Sequence, residues 1–146
     1  MNKEEFIEAV EQLKIDLTEE KLEQLNKFYN LLIEWNKKIN LTRIEKEDEV
    51  YLKHFYDSLT IAKVVDLSEK KTLCDIGTGA GFPGIVLKII YPNLKITLID
   101  SLQKRVNYLN EIIKDLGLDN IEAIHVRGED YKGQYDVVTS RAVANI

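Results

Sequence analysis

Apolar residues recur at helical spacing through the first seventy positions, then give way to short apolar runs punctuated by glycine and proline. Phe6, Ile7, Val10 and Leu13 share one face of a short first helix. Thr18 offers an N-cap to a second, with Glu19 and Glu20 well placed against the helix dipole in its first turn. Leu22, Leu25, Phe28, Leu32, Trp35 and Ile39 carry that stripe to the stretch 36–40. Asn40-Leu41-Thr42-Arg43 is a polar turn with a basic flank, and a third helix is predicted from Asp48 to Val65, carrying Tyr51, Phe55, Leu59 and Ala62. Stripes of this kind are core-packing faces. Residues 1–70 therefore read as a helical segment packed on the rest of the chain.

From Lys71 the period changes. Thr72–Ile76 is a short apolar strand that runs into a glycine cluster. Pro83 suits a first helical position, and Ile85, Val86, Leu87, Ile89 and Ile90 make a strongly apolar helix closed by Pro92-Asn93. Lys95–Asp100 is a second strand, 102–116 an amphipathic helix stopped by Gly117, Ile121–Val126 a third strand and Tyr135–Ser140 a fourth. Strands and helices alternating at this spacing form parallel βαβ units with right-handed crossovers. The fold class is α/β: a Rossmann-like doubly wound parallel sheet over residues 71–146, strand order 3-2-1-4, preceded by the N-terminal helical segment.

Composition narrows the class of function. No apolar run approaches the ~20 residues of a membrane span, and the acidic, amphipathic start Met1-Asn2-Lys3-Glu4-Glu5 is no secretory signal. One cysteine and two histidines argue against disulfides or structural zinc, so a cytosolic protein without a metal site is expected. Residues 1–23 hold eight acids against three lysines, which accounts for the whole net charge of -5 and leaves residues 24–146 balanced. Charge thus makes no case for nucleic acid, and composition points to a small-molecule enzyme.

The chemistry lies in Asp75-Ile76-Gly77-Thr78-Gly79-Ala80-Gly81-Phe82-Pro83-Gly84. A strand ending in alternating glycines turns sharply and lets backbone approach a ligand, to which the next helix is expected to present free N–H groups. The segment contains a literal G-x-G-x-x-G, Gly79 to Gly84, so a nicotinamide-dependent oxidoreductase is one reading. Asp100, at the end of the second strand, is placed for ribose hydroxyls under either reading. Three features favour S-adenosyl-L-methionine. Asp75 precedes the glycines, where a carboxylate opposes a pyrophosphate but attracts an ammonium and a sulfonium. Phe82-Pro83 makes a bulky wall, not a phosphate cradle. Gly128-Glu129-Asp130, after the third strand, suits an adenine edge. Arg141, at the carboxyl end of the fourth strand, lies at the topological switch point.

Motifs spread over nearly the whole chain resemble the glucose-inhibited division protein B family. They are Asn40-Leu41-Thr42, His54-Phe55-Tyr56-Asp57-Ser58-Leu59, Asp75 through Gly84, Leu98-Ile99-Asp100-Ser101 with Lys104-Arg105, Arg127-Gly128-Glu129, and Thr139-Ser140-Arg141-Ala142. The resemblance implies a class I methyltransferase that modifies guanine N7 in small-subunit ribosomal RNA, with the RNA or the small ribosomal subunit as partner. The glycine run itself puts Gly79 at the ligand; the resemblance implies that Gly77 and Phe82 line the cofactor, Gly128 and Glu129 hold its adenosine end, Asp100 takes the ribose, and Arg141 reaches in from the fourth strand. Guanine N7 has a lone pair and no proton to lose, so proximity suffices and no catalytic acid or base is named. Lys104-Arg105 reads as an RNA contact or a solvated face, His54 as a helix or core residue, Cys74 as an inert small hydrophobe. The family continues beyond the fourth strand whereas this chain stops at Ile146. An incomplete enzyme is therefore expected, with Val137 and Val138 on an open edge. A non-catalytic cofactor-binding module acting through the N-terminal helices is the alternative of another class.

Overall fold

A computed structural model describes residues 1–140. Four parallel strands, β1 (Thr72–Ile76), β2 (Lys95–Asp100), β3 (Ile121–His125) and β4 (Val137–Ser140), lie in the order β3-β2-β1-β4. β1 pairs with β2 on one side and β4 on the other, in the expected arrangement. β1 and β2 are buried on both faces, which is why they read as continuous apolar runs. β4 alternates instead: Val137 and Thr139 are half-buried, while Val138 and Ser140 are exposed. Val137 and Val138 both lie on the outer strand, but the pleat packs Val137 against the core and leaves only Val138, 57% exposed, facing outward. β3 and β4 are each shorter than expected. Val126 donates to the Asp100 carbonyl just past the end of the β3 ladder, and Tyr135 turns its hydroxyl to Thr97 ahead of β4.

Helices α1 (Lys3–Gln12) and α2 (Glu19–Asn36) form the N-terminal layer. Thr18 Oγ1 accepts from the Lys21 N–H at 3.2 Å, as its position before the stripe implies. Asn2 and Glu5 form a reciprocal capping box on α1 that the stripe did not reveal. Helix α6 (Gln103–Leu116) ends on Gly117 with φ 63°, the left-handed stop expected there.

The third predicted helix is broken into types. It comprises α3 (Glu47–Val50), a π-helical turn (Tyr51–Tyr56), α4 (Asp57–Leu59) and a 3-10 turn (Thr60–Lys63). The wide turn admits an extra residue. Tyr51 and Phe55 are buried while His54 lies flat on Phe82, ring centroids 4.3 Å apart. Helix α5 (Gly84–Ile90) is buried along its whole length between the sheet and this layer. One hydrophobic cluster runs from Phe6, Leu25 and Phe28 through Phe55 and Phe82 to Ile85, Leu98 and Leu109. The N-terminal helices therefore share a core with the sheet and brace the loop after β1.

Candidate cofactor cleft

β1 ends at Ile76, and the chain reverses through Gly77 at φ 70° and Gly79 at φ 59°, a region where a side chain is strained. Nothing lies within 4 Å of where a Cβ on either residue would stand. The turn therefore faces open space above the carboxyl end of β1, where the strand order reverses direction.

The donors of this loop point the other way. Gly77 and Thr78 N–H donate to the Ile99 carbonyl at 2.8 and 3.0 Å, and Gly81 and Phe82 N–H to the Thr78 carbonyl at 2.9 and 3.1 Å. Gly79 N–H donates to Asp100 Oδ2 and Gly84 N–H to Asp75 Oδ2, both at 2.9 Å, and Ile85 N–H to the Gly81 carbonyl at 2.8 Å. The expectation of free N–H groups at the helix start is thereby corrected. Asp75 and the carbonyls of Gly81 and Pro83 take those of Gly84, Ile85 and Leu87. A loop so arranged offers a shaped wall and lacks the row of donors that holds a pyrophosphate.

Two carboxylates hold this geometry. Asp100 is 2% exposed; besides Gly79, it accepts from the Leu102 N–H at 3.0 Å and lies 3.7 Å from Arg105 Nη1. It locks the glycine turn to the start of α6, with lone pairs left over for a ligand hydroxyl. Arg105 is thus turned inward to Asp100, whereas Lys104 is exposed. Asp75 is wholly buried and accepts from Gly84 N–H and from Thr139 Oγ1 at 3.0 Å, tying β1 to α5 and β4. Its burial makes it a strut of the loop, and the Coulomb attraction expected of it acts through the field.

The other candidate residues fall around the same opening or beneath it. Phe82 is 5% exposed, with its ring against His54, Phe28 and Phe55. Its side chain anchors the loop on the helical layer. The Phe82–Pro83 peptide bond is cis. Gly128 opens a short turn after β3, and a Cβ there would meet the Ile76 side chain at 2.5 Å, so the β3 loop is drawn tight over the end of β1. Glu129 is exposed and lies 3.7 Å from an equally exposed Arg127. Arg141 lies outside the described residues.

Two supporting residues, Tyr108 and Asn36, were not singled out by sequence reasoning. Tyr108 is buried in α6, and its hydroxyl donates to the Ala80 carbonyl at 2.8 Å; burial holds its ionisation far above the ordinary phenol range. On the chain it reads as one more core position of α6. Asn36 accepts from the Leu41 and Thr42 N–H groups, and Thr42 Oγ1 meets His54 Nε2 at 2.8 Å. A polar chain thus runs from the end of α2 to the ring under the glycine loop. Beside Pro83 and Thr139 lies a cavity of about 320 Å3 that also touches Asp57 and Ser58. Among the described residues no group of His, Cys, Asp and Glu could hold a metal ion, and no helix is long and apolar enough to cross a membrane.

A parallel sheet in this order, with a glycine turn at the switch point and an acid ending β2, defines a Rossmann-like fold of the methyltransferase type. The same fold occurs in a SAM-dependent methyltransferase from Aquifex aeolicus, with TM-score 0.50, 24% identity, and coverage of 74% of this chain and 55% of that one. It also occurs in the StiE O-MT, with TM-score 0.51, 26% identity, and coverage of 57% and 31%. Residues 21–146 match the family described as GidB, rRNA small subunit methyltransferase G, and the chain belongs to that family. Proteins named ribosomal RNA small subunit methyltransferase G match it from Desulforamulus reducens, 54% identical over 95% of this chain, and from Staphylococcus saprophyticus, 50% identical over 90%. The chain spans 60% and 57% of the length of those two relatives.

Proposed function

We propose that this chain forms the cofactor-binding part of a cytoplasmic S-adenosyl-L-methionine-dependent methyltransferase acting on guanine N7 of small-subunit ribosomal RNA. The observation that carries the reading is the glycine turn itself. Gly77 and Gly79 leave open space over β1, while the N–H groups of Gly77, Thr78, Gly79, Gly81 and Phe82 are taken by Ile99, Asp100 and Thr78. A ligand with a nucleoside body and no phosphate fits such a wall; a dinucleotide does not. The family and the names of its members agree with this choice.

When bound, the cofactor supplies an electrophilic methyl group on a sulfonium. The chain's residues bind and orient it. Asp100 meets the ribose hydroxyls with the lone pairs that Gly79 and Leu102 leave unused, Gly128 and Glu129 take the adenosine end, and Gly77 and Gly79 let the ligand approach the backbone. Phe82, held by His54, and Tyr108, bonded to Ala80, keep that wall from relaxing. The cavity beside Pro83 and Thr139 receives the base. Guanine N7 needs no general base, so alignment of the lone pair with the methyl group accounts for the chemistry, and nearby carboxylates favour the cation that forms.

The test is transfer of labelled methyl to small ribosomal subunits that lack the modification. It uses the chain and a version extended with the C-terminal part of the Desulforamulus reducens relative. Label recovered as N7-methylguanine with the extended version is the expected result. No label in RNA from either protein contradicts the reading.

A further inference from the structure

A second, larger opening lies at the other end of the sheet. Where the 3-10 turn Leu67–Glu69 leads towards β1 and Pro92–Leu94 leads into β2, a cavity of about 770 Å3 opens against the α1–α2 turn. This is within the size range of ligand sites, about 300–1,000 Å3. Its floor is apolar, with Leu67, Ile90 and Leu94 buried, and Tyr91 forms part of the wall.

Its rim is cationic. Lys14, Lys21, Lys63 and Lys70 line it against Asp16 and Asp66. None of these lysines is ion-paired among the described residues. Lys21 Nζ donates to the Asp16 carbonyl, and Asp66 accepts from Ser68. An excess of unpaired lysines over an apolar floor stands out in a chain of net charge -5. The edge is also stiff: buried Lys88 donates to the carbonyls of Pro92 and Leu94 at 2.9 and 2.6 Å.

Val64, 82% exposed, lines both this cavity and the one beside Pro83 and Thr139. We infer that the basic cavity is an RNA subsite. It holds a nucleotide of the same strand as the one in the cleft, a few positions away. The base lies on Tyr91 and the apolar floor, the phosphates lie against Lys63 and Lys70, and the backbone crosses Val64. Aromatic side chains stack on unpaired bases whatever their sequence, and lysines neutralise the phosphates between them. The inference rests on the reading of the cleft as an RNA methyltransferase site.

The test measures binding of a fluorescein-labelled RNA octamer with one central guanosine to the full chain and to the double variant Lys63→Glu/Lys70→Glu. Both lysines are exposed, so the variant keeps the fold. Affinity is expected to fall at least ten-fold, and the slope of log affinity against log salt by about 1.4, at roughly 0.7 per phosphate contact on a single strand. Affinity for S-adenosylhomocysteine, measured alongside, stays unchanged. Equal RNA affinity and slope in the two proteins overturn the subsite. Cytidine 5′-monophosphate binding as tightly as the octamer overturns it too, by making the cavity a small-molecule pocket. If S-adenosylhomocysteine fails to bind the unmodified chain while the RNA losses appear, the cofactor reading of the cleft falls and the basic cavity remains an RNA contact only, not a subsite of that cleft.

Discussion

Replacing Asp100 with alanine removes the acceptor of two backbone N–H groups, Gly79 at 2.9 Å and Leu102 at 3.0 Å, from a site only 2% exposed. A hydrogen bond to a charged group is worth about 1.5–3 kcal/mol. Water entering at the open side of the glycine turn recovers part of that, so a net loss of about 2–4 kcal/mol is expected. The ion pair with Arg105 adds little, because the arginine side chain is 35% exposed. With a urea slope of about 2 kcal/mol/M, the unfolding midpoint falls by about 1–2 M. Asp100→Asn falls between the two, since its amide group must turn an N–H towards one of the same donors. Affinity for S-adenosylhomocysteine, measured by calorimetry where both proteins are fully folded, drops at least ten-fold. An unmoved urea midpoint refutes the bracing role, and an unmoved affinity in a folded variant refutes the ribose role.

Gly79→Val sets a β-branched residue at φ 59° and points its side chain into the open cleft. It costs about 1–2 kcal/mol of stability but removes S-adenosylhomocysteine binding, and normal binding would make the glycines a turn and nothing more. Gly84→Ala forces a methyl against the Leu98 side chain and Asp75 Oδ2 in a closed core. A loss of about 1–3 kcal/mol is expected, and an unchanged melting temperature contradicts the packing of α5 on the sheet. The Cys74 thiol, buried in β1 beside Asp75, is pushed up to about 11, mainly by burial and then by that carboxylate. Because the folded value lies above the unfolded one, this group's contribution to stability is present below about pH 9 and is lost as pH rises towards 11. Labelling at pH 8 is therefore slow in the native protein and fast in denaturant, and rapid native labelling would place Cys74 elsewhere.

The sheet was legible because its signals are local and redundant. Thr72–Ile76 and Lys95–Asp100 are bounded by glycine and proline, so both strands stand where the chain implies. The π turn at Tyr51–Tyr56 was not legible, because an apolar stripe at 51, 55 and 59 looks the same on an α-helix. The widened turn carries His54 onto the ring of Phe82, a residue distant in the chain. The same holds for the glycine loop. Its shape comes from glycine spacing, but the inward direction of its N–H groups depends on Asp75, Ile99 and Asp100 converging from two strands. Asp75 shows the limit of reading charge from sequence: a carboxylate before a glycine turn looks like a ligand contact, and packing makes it a strut.

The most direct test of the central claim is a residue-resolved NMR titration of the chain with S-adenosylhomocysteine and, separately, with NAD. S-adenosylhomocysteine is expected to shift the amides of Gly77, Gly79, Asp100 and Gly128 as one group, while NAD leaves them in place. Shifts at these amides with NAD, or S-adenosylhomocysteine shifts confined to other parts of the chain, would contradict it.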